Sequence, residues 1–294
     1  MSRIVVLGDV MVDVVVGLSG PLAQASDAPA EIRFRGGGSA ANTAAWLGAA
    51  GAEVTLVGRV GDDERGRAAV DELRAAGVDA QVALDPDRPT GTCLLLIEPS
   101  GERTMAPDAG ANDRLAPEDL PEELLAEAGH LHVAGYALLR EGSRGAARAA
   151  IERASRAGVA VSVDPSSSAL LDGGFLDLAA GAGLLLPNAS EAHALTANSD
   201  PEAAARSLAE LFGEVVVTLG PAGALWTDGE EVLRAAAVAV DRVEDTAGAG
   251  DAFAAGFLKE RASDASTAEA LAPAWPTARA ARRQPAARGE QRRP

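Results

Sequence analysis

The segment 243–257, reading VEDTAGAGDAFAAGF, joins a run of very small residues, an acid and the start of an apolar helix. Side chains as small as those of Ala247, Gly248, Ala249 and Gly250 let backbone amides come close to an anion. The first turn of a following helix adds amides without intrahelical partners and the positive end of its dipole. Such a segment builds an anion hole. Asp251 falls in that first turn and has two readings. Either it complements the helix dipole, for about 0.3–1 kcal/mol, or it takes the proton of a hydroxyl attacking a phosphoryl group held by the preceding amides.

On the amino-terminal side the polar candidates are those that a polyhydroxyl ligand needs. Asp13 interrupts the apolar run 10–16, and one carboxylate can accept two hydroxyl hydrogen bonds in a fixed geometry. Gly37 and Gly38 allow close backbone approach, and the Asn42 amide offers both donors and acceptors. Helix capping and tight packing account for these residues equally well. His130, His132 and His193 show no metal-ligand spacing, and Cys93 lies inside an apolar run as core cysteines do. Lys259 is the only lysine, which excludes a glycine-rich loop ending in Gly-Lys-Ser/Thr. The glycines at 36–38 do not fit a dinucleotide fingerprint either, because Val57 leads into Gly58-Arg59 where an acid would be required.

These residues must be carried by elements whose outlines are legible. Arg3–Leu7 and residues 10–16 read as two strands joined by Gly8-Asp9 with no helix between them, and 31–35 alternates like a half-exposed strand. Gly36 to Gly38 opens an alanine-rich helix over 39–50, 53–57 is a strand, and a helix over 64–76 stops at Gly77. The runs 82–84, 92–98 and 102–106, punctuated by Asp-Pro, Arg-Pro and Pro-Ser-Gly, predict hairpins of a small β appendage or lid. From Pro117 onward, strands at 130–133, 159–164, 183–186 and 214–219 alternate with helices, which predicts an α/β fold with a parallel, doubly wound sheet. Ligands of such sheets lie beyond the carboxyl ends of the strands, so Asp164, Asn188 and Gly220 are expected near one edge.

Composition bounds the remainder. A chain of 294 residues, 47% hydrophobic, suits one principal domain, expected over 1–270 with lid strands inserted near 10–16, 31–35 and 92–106. A net charge of −17 argues against nucleic acid as a partner. Cys93 stands alone, which excludes a disulfide within the chain and favours the cytoplasm. The first apolar run is too short for a secretory leader, and no run approaches the ~18 apolar residues that cross a membrane, so no membrane partner is expected. Residues 271–294, rich in Pro, Arg and Ala without apolar period, predict a disordered tail.

The segment DTAGAGDAFAAGF at 245–257 resembles the carboxyl-terminal signature of the ribokinase-like (PfkB) carbohydrate kinases. GGGSAANTAAWLGAAG at 36–51 resembles the amino-terminal Gly-Gly signature of the same family, with Asn42 in the expected place. The resemblance runs from about residue 4 to 258 and takes in Gly8-Asp9 with Asp13, Asn188-Ala-Ser-Glu191 and Thr218-Leu-Gly220-Pro-Ala-Gly223. It implies a three-layer α/β sandwich with a small β-sheet lid, ATP at the carboxyl-terminal half, a sugar between lid and main domain, and phosphorylation of a primary hydroxyl.

Carried over residue by residue, the resemblance implies Asp251 as general base and Gly248, Ala249 and Gly250 as anion hole. Asp13, Gly37, Gly38 and Asn42 correspond to substrate-binding positions. Asn188 and Glu191 correspond to a pair that acts on Mg2+ and phosphate through water, a helix cap with a solvated glutamate being the plainer reading. Thr218, Gly220 and Gly223 correspond to nucleotide contacts, or to an ordinary strand-ending turn. Asp245 corresponds to the acid beside a monovalent-cation loop, hence K+, and equally caps a turn. Lid strands with exposed edges suit a homodimer. A low aromatic content disfavours a base-stacking nucleoside pocket. Ala247 stands where relatives often carry Thr, and the atypical carboxyl end leaves a second reading: a protein that keeps the fold and binds sugar or nucleotide with impaired catalysis.

Overall fold

In β1 (Arg3–Leu7) alternate side chains go to opposite faces: Ile4 and Val6 join one apolar core, Val5 and Leu7 another. A strand buried on both faces requires helices on both sides, and that is the architecture of the computed structural model, which describes residues 2–22, 25–100, 102–237, 248–263 and 265–272. In chain order the further strands are β2 (Met11–Leu18), β3 (Ala30–Gly37), β4 (Val54–Gly61), β5 (Asp79–Asp85), β6 (Gly91–Ile97), β7 (Arg103–Asp108), β8 (Ala128–Ala134), β9 (Ala160–Asp164), β10 (Leu184–Leu185), β11 (Glu214–Thr218), β12 (Ala224–Thr227) and β13 (Val232–Ala235).

The large sheet has the order β13-β12-β11-β10-β9-β8-β1-β4-β5. From β11 to β5 neighbours run parallel; β12 and β13 are an antiparallel edge. Helices Glu141–Arg156 and Pro201–Phe212 cover the face of Val5 and Leu7, and helices Ser39–Ala49, Glu64–Ala75 and Ala249–Arg261 cover the other. The result is a three-layer α/β sandwich. β12 and β13 add an antiparallel edge to the expected parallel sheet: the turn at Gly220 to Gly223 reverses the chain from β11 into β12, and a tight turn at Gly229, with φ of 98°, reverses it again into β13.

A second sheet has the order β3-β2-β6-β7 and takes in the strands expected near 10–16, 31–35 and 92–106. Antiparallel pairs β2/β3 and β6/β7 are joined by a parallel β2/β6 pair at its centre. One expectation is corrected. Residues 82–84 belong to β5, at the edge of the large sheet, because Val78 and Ala80 are buried in its core and the strand pairs in parallel with β4 from Thr55↔Asp79 to Gly61↔Asp85. The helix Glu64–Ala75 between them makes a crossover, and Gly77, at φ of 86°, closes it. The Asp-Pro turn thus separates the two sheets and is no hairpin. Of the expected tail, residues from 273 on lie outside the described residues.

Candidate active site

The second sheet stands over the carboxyl ends of the large sheet's strands and encloses a cavity of about 630 Å³ with them. Met11 and Asp13 of β2, Cys93 and Leu95 of β6, and Met105 and Pro107 of β7 face it from above. Asp9, Asp164, Asn188 and Thr218, at or just past strand ends, face it from below, with Gly248, Gly250 and Asp251 at one side. Period two explains the upper wall, since residues i and i+2 of a strand share a face.

Asp251 lies at the start of the helix Ala249–Arg261, which follows Gly248 in the left-handed region at φ of 71°. The helix has no side-chain cap, so its first amides stay available at the cavity's edge. Two side chains one turn apart on the helix Ser39–Ala49 reach the carboxylate: Ser39 Oγ donates to Oδ1 at 2.8 Å and Asn42 Nδ2 donates to Oδ2 at 2.9 Å. Burial pushes the Asp251 carboxyl up to about 7, against the lowering effect of these two hydrogen bonds and with the negative charges of Asp9 and Asp13 adding to it. A carboxylate so placed is half ionised near neutral pH, which suits proton transfer.

Asn188 and Glu191 form a capping box on the helix Ala189–Thr196: Glu191 N–H donates to Asn188 Oδ1 at 2.9 Å, and Asn188 N–H donates to Glu191 Oε2 at 2.8 Å. The cap reading is therefore correct as local structure, yet both residues also line the cavity, and Glu191 is buried rather than solvated. Burial raises the Glu191 carboxyl. Asp164, whose Oδ1 accepts from Ser166 N–H at 2.7 Å, is raised well above the usual carboxylate range by burial and then by the charges of Glu191 and Asp251. Carboxylates that repel one another around a cavity fit a cation between them. Among the described residues no three of His, Cys, Asp and Glu converge closely enough to hold an ion directly.

The remaining expected residues are placed as follows. A Cβ on Gly37 would strike the Asp13 carboxylate, and one on Gly38, with φ of 98°, would meet Asp9 O at 2.5 Å. Gly38 lines the cavity; Gly37 does not, and its lack of a side chain leaves room for Asp13, whose carboxylate lies 3.5 Å from Arg35. Gly220 and Gly223, at φ of 57° and 104°, form the turn between β11 and β12 and stand outside the cavity lining, as does Ala249. Thr218 lines it and bridges to Asn188. Asp245 lies outside the described residues. Asp9, Ser39, Tyr136, Arg103 and Arg140 also line the cavity. Asp9 and Asp164 had a sequence signal, an acid ending an apolar strand; Ser39, Tyr136 and Arg140 had none, because their place depends on how helices meet.

An α/β sandwich whose strands end, beneath a second sheet, at a half-ionised carboxylate and a helix amino terminus frames a phosphotransferase with an alcohol acceptor. The chain belongs to the pfkB family of carbohydrate kinases, whose sequence model matches residues 1–292. It is 35% identical over 257 residues to the ATP-dependent ribose-1-phosphate kinase of Halopiger xanaduensis, covering 84% of this chain and 81% of that one. It is 32% identical over 271 residues to the 2-dehydro-3-deoxygluconokinase of Thermoproteus tenax, covering 88% and 81%. It is 34% identical over 273 residues to the fructokinase of Klebsiella pneumoniae, covering 87% and 83%. Among solved structures, the adenosine kinase of Sinorhizobium meliloti superposes with a TM-score of 0.86 at 27% identity, over 94% of this chain and 92% of that one. The ribokinase of Cryptococcus neoformans in complex with ADP does so at 0.76 and 26%, over 92% and 90%. The protein is a carbohydrate kinase that phosphorylates a sugar at the expense of ATP.

Proposed function

We propose that the protein transfers the terminal phosphoryl group of ATP to a primary hydroxyl of a sugar or sugar acid, with Asp251 as general base. The observation that carries this reading is the Asp251 carboxyl, near neutral in proton affinity, held by Ser39 and Asn42 at the mouth of an uncapped helix amino terminus. The acceptor hydroxyl gives its proton to Asp251 as its oxygen bonds to the terminal phosphorus, and the bond from that phosphorus to the bridging oxygen breaks to release ADP. Amides of Gly248, Ala249 and Gly250 absorb charge on the transferred group. Magnesium supplies further neutralisation of the phosphates when bound, and Asn188, Glu191 and Asp164 would hold its waters.

Asp13 and Asn42 take hydroxyls of the acceptor, and Thr218, with the turn at Gly220 and Gly223, borders the nucleotide. The second sheet covers the acceptor and keeps water from the phosphoryl group. The acceptors named for the similar proteins, ribose 1-phosphate, 2-dehydro-3-deoxygluconate and fructose, support a sugar-like alcohol and differ among themselves in charge. We further place the enzyme in the cytoplasm, as a homodimer joined through the outer face of the second sheet, where Ile32 and Phe34 are 58% and 60% exposed. Potassium activation through Asp245 belongs to the same reading. No helix among the described residues is long and apolar enough to cross a membrane.

The test is ATP consumption with Mg2+, with and without K+, across pentoses, hexoses, sugar phosphates, sugar acids and nucleosides. Turnover dependent on one sugar class and lost in Asp251→Asn is the expected result; turnover that survives in Asp251→Asn would remove the base from this reading.

A further inference from the structure

Four chain passages connect the two sheets, and all meet around one residue, Val10. They are the step from β1 into β2, the return from β3 at Gly37 and Gly38, the entry to β6 at Thr90 and Gly91, and the exit from β7 through Ala109 to Asn112. Asn112, 3% exposed, grips Val10 by both backbone groups: Val10 N–H donates to Oδ1 at 2.9 Å, and Nδ2 donates to Val10 O at 3.0 Å. The same Nδ2 donates to Ala109 O at 2.9 Å. A side-chain amide used this way replaces a strand neighbour at the one point where the chain belongs to neither sheet.

The other passages are packed against this grip. A Cβ on Gly91 would strike Asn112 Nδ2, and one on Gly110 would strike Pro89 O. Ala111 N–H donates to Pro89 O at 2.8 Å. On the far side of Val10, Asp9 O accepts from Ala41 N–H at 3.2 Å. The entry to β6 is tied down separately: Thr90 N–H and Oγ1 donate to Asp63 Oδ2 and Oδ1 at 2.8 and 2.7 Å, and Asp63 also accepts from Gly66 N–H at the start of the helix Glu64–Ala75. These contacts fasten the passages to one another around Val10, which makes that junction the candidate hinge between the two sheets.

We propose that Asn112 is the positioning residue of this hinge: by holding Val10 it sets the angle of β2 over the large sheet, and with it the distance from Asp13 to Asp251. The inference rests on the kinase reading for its catalytic consequence and on the hydrogen bonds alone for its mechanical one. Asn112 does not line the cavity, so it acts through the backbone that it holds at Val10 and Ala109.

The test compares the full-length protein with Asn112→Asp, which keeps the shape but turns a donor facing Val10 O and Ala109 O into an acceptor. Hydrogen–deuterium exchange is read without ligands, followed by kinetics with the acceptor found in the panel. Expected are exchange at least tenfold faster in β2 and β7 with β1, β4 and β8 within twofold, a KM for the acceptor raised at least tenfold with the KM for ATP within threefold, and more ATP hydrolysed per phosphoryl group transferred. Equal acceleration in both sheets would make Asn112 general packing, and unchanged exchange in β2 would remove the hinge role; either overturns the proposal. If Asn112→Asp does not fold, Asn112→Ser, whose shorter side chain releases Val10 without adding a charge, gives the same comparison. Should the wild type turn over no sugar, the kinase reading fails while the exchange pattern still decides the hinge.

Discussion

Asn42 and Asp251, 209 positions apart in the chain, are joined by a hydrogen bond of 2.9 Å from Nδ2 to Oδ2. The bond ties the helix Ser39–Ala49, which follows β3, to the helix that carries the proposed base. With Ser39 it also opposes the burial that raises the Asp251 carboxyl.

Replacing the base tests the chemistry most directly. Asp251→Asn keeps the shape and removes the proton acceptor, and kcat is expected to fall by about 10²–10⁴. Nucleotide affinity, read by calorimetry, should change less than about threefold, because the amides of 248–250 are untouched.

The pH profile follows from the Asp251 carboxyl near 7. The base must be ionised in the free enzyme, so kcat/KM is expected to rise about tenfold per unit at low pH and to level off above about 7. Ser39→Ala removes a hydrogen bond that favours the ionised form. Its profile should shift upward by about one to two units, since a bond to a charged group is worth roughly 1.5–3 kcal/mol.

The same carboxyl predicts a stability cost. Its pKa is raised by folding, so the folded state binds the proton more tightly, and the destabilisation is complete above about 7 and vanishes below the unfolded value near 3.8. Asp251→Asn should therefore melt higher than wild type at pH 8 and no higher near pH 4. Calorimetric melting at the two pH values checks it.

His130 and His132 pull the other way. Both share Ser162 Oγ, at 2.7 and 2.9 Å, and His132 is fully buried with Nε2 unpartnered. Burial lowers their pKa values from 6.5 to about 4 and about 3. The unfolded chain binds the protons first, so this contribution to stability is lost as pH falls from about 6.5 toward 4. His132→Leu removes one such group. Its melting temperature relative to wild type should improve steadily over that interval, and a flat difference would mean that His132 stays charged or neutral in both states.

The proposed dimer is tested on the outer face of the second sheet. Phe34→Glu places a charge on that face, beside Arg65, whose guanidinium lies 5.1 Å from the Phe34 ring. Sedimentation should show the wild type as a dimer and the variant at least tenfold weaker in association.

The chain's own pattern determined the strands and the chemistry within single segments. Short valine-rich runs ending near an acid or a glycine mark β1, β9 and β11 because buried parallel strands need both faces largely apolar. The helix start with a nearby acid at Gly248 to Asp251 is legible because amide geometry there is local. Tertiary structure alone decided the rest. Residues 82–84 look the same whether they pair in a hairpin or across a helix, and the pairing with β4 settles it. That Gly37 has Asp13 lying against it shows only in the fold. Ser39 gains its place at Asp251, and Asn112 its grip on Val10, through contacts between segments more than a hundred residues apart. A hydrogen bond between distant segments leaves no period in the sequence, since each partner looks locally like an ordinary polar residue at the start of a helix or turn.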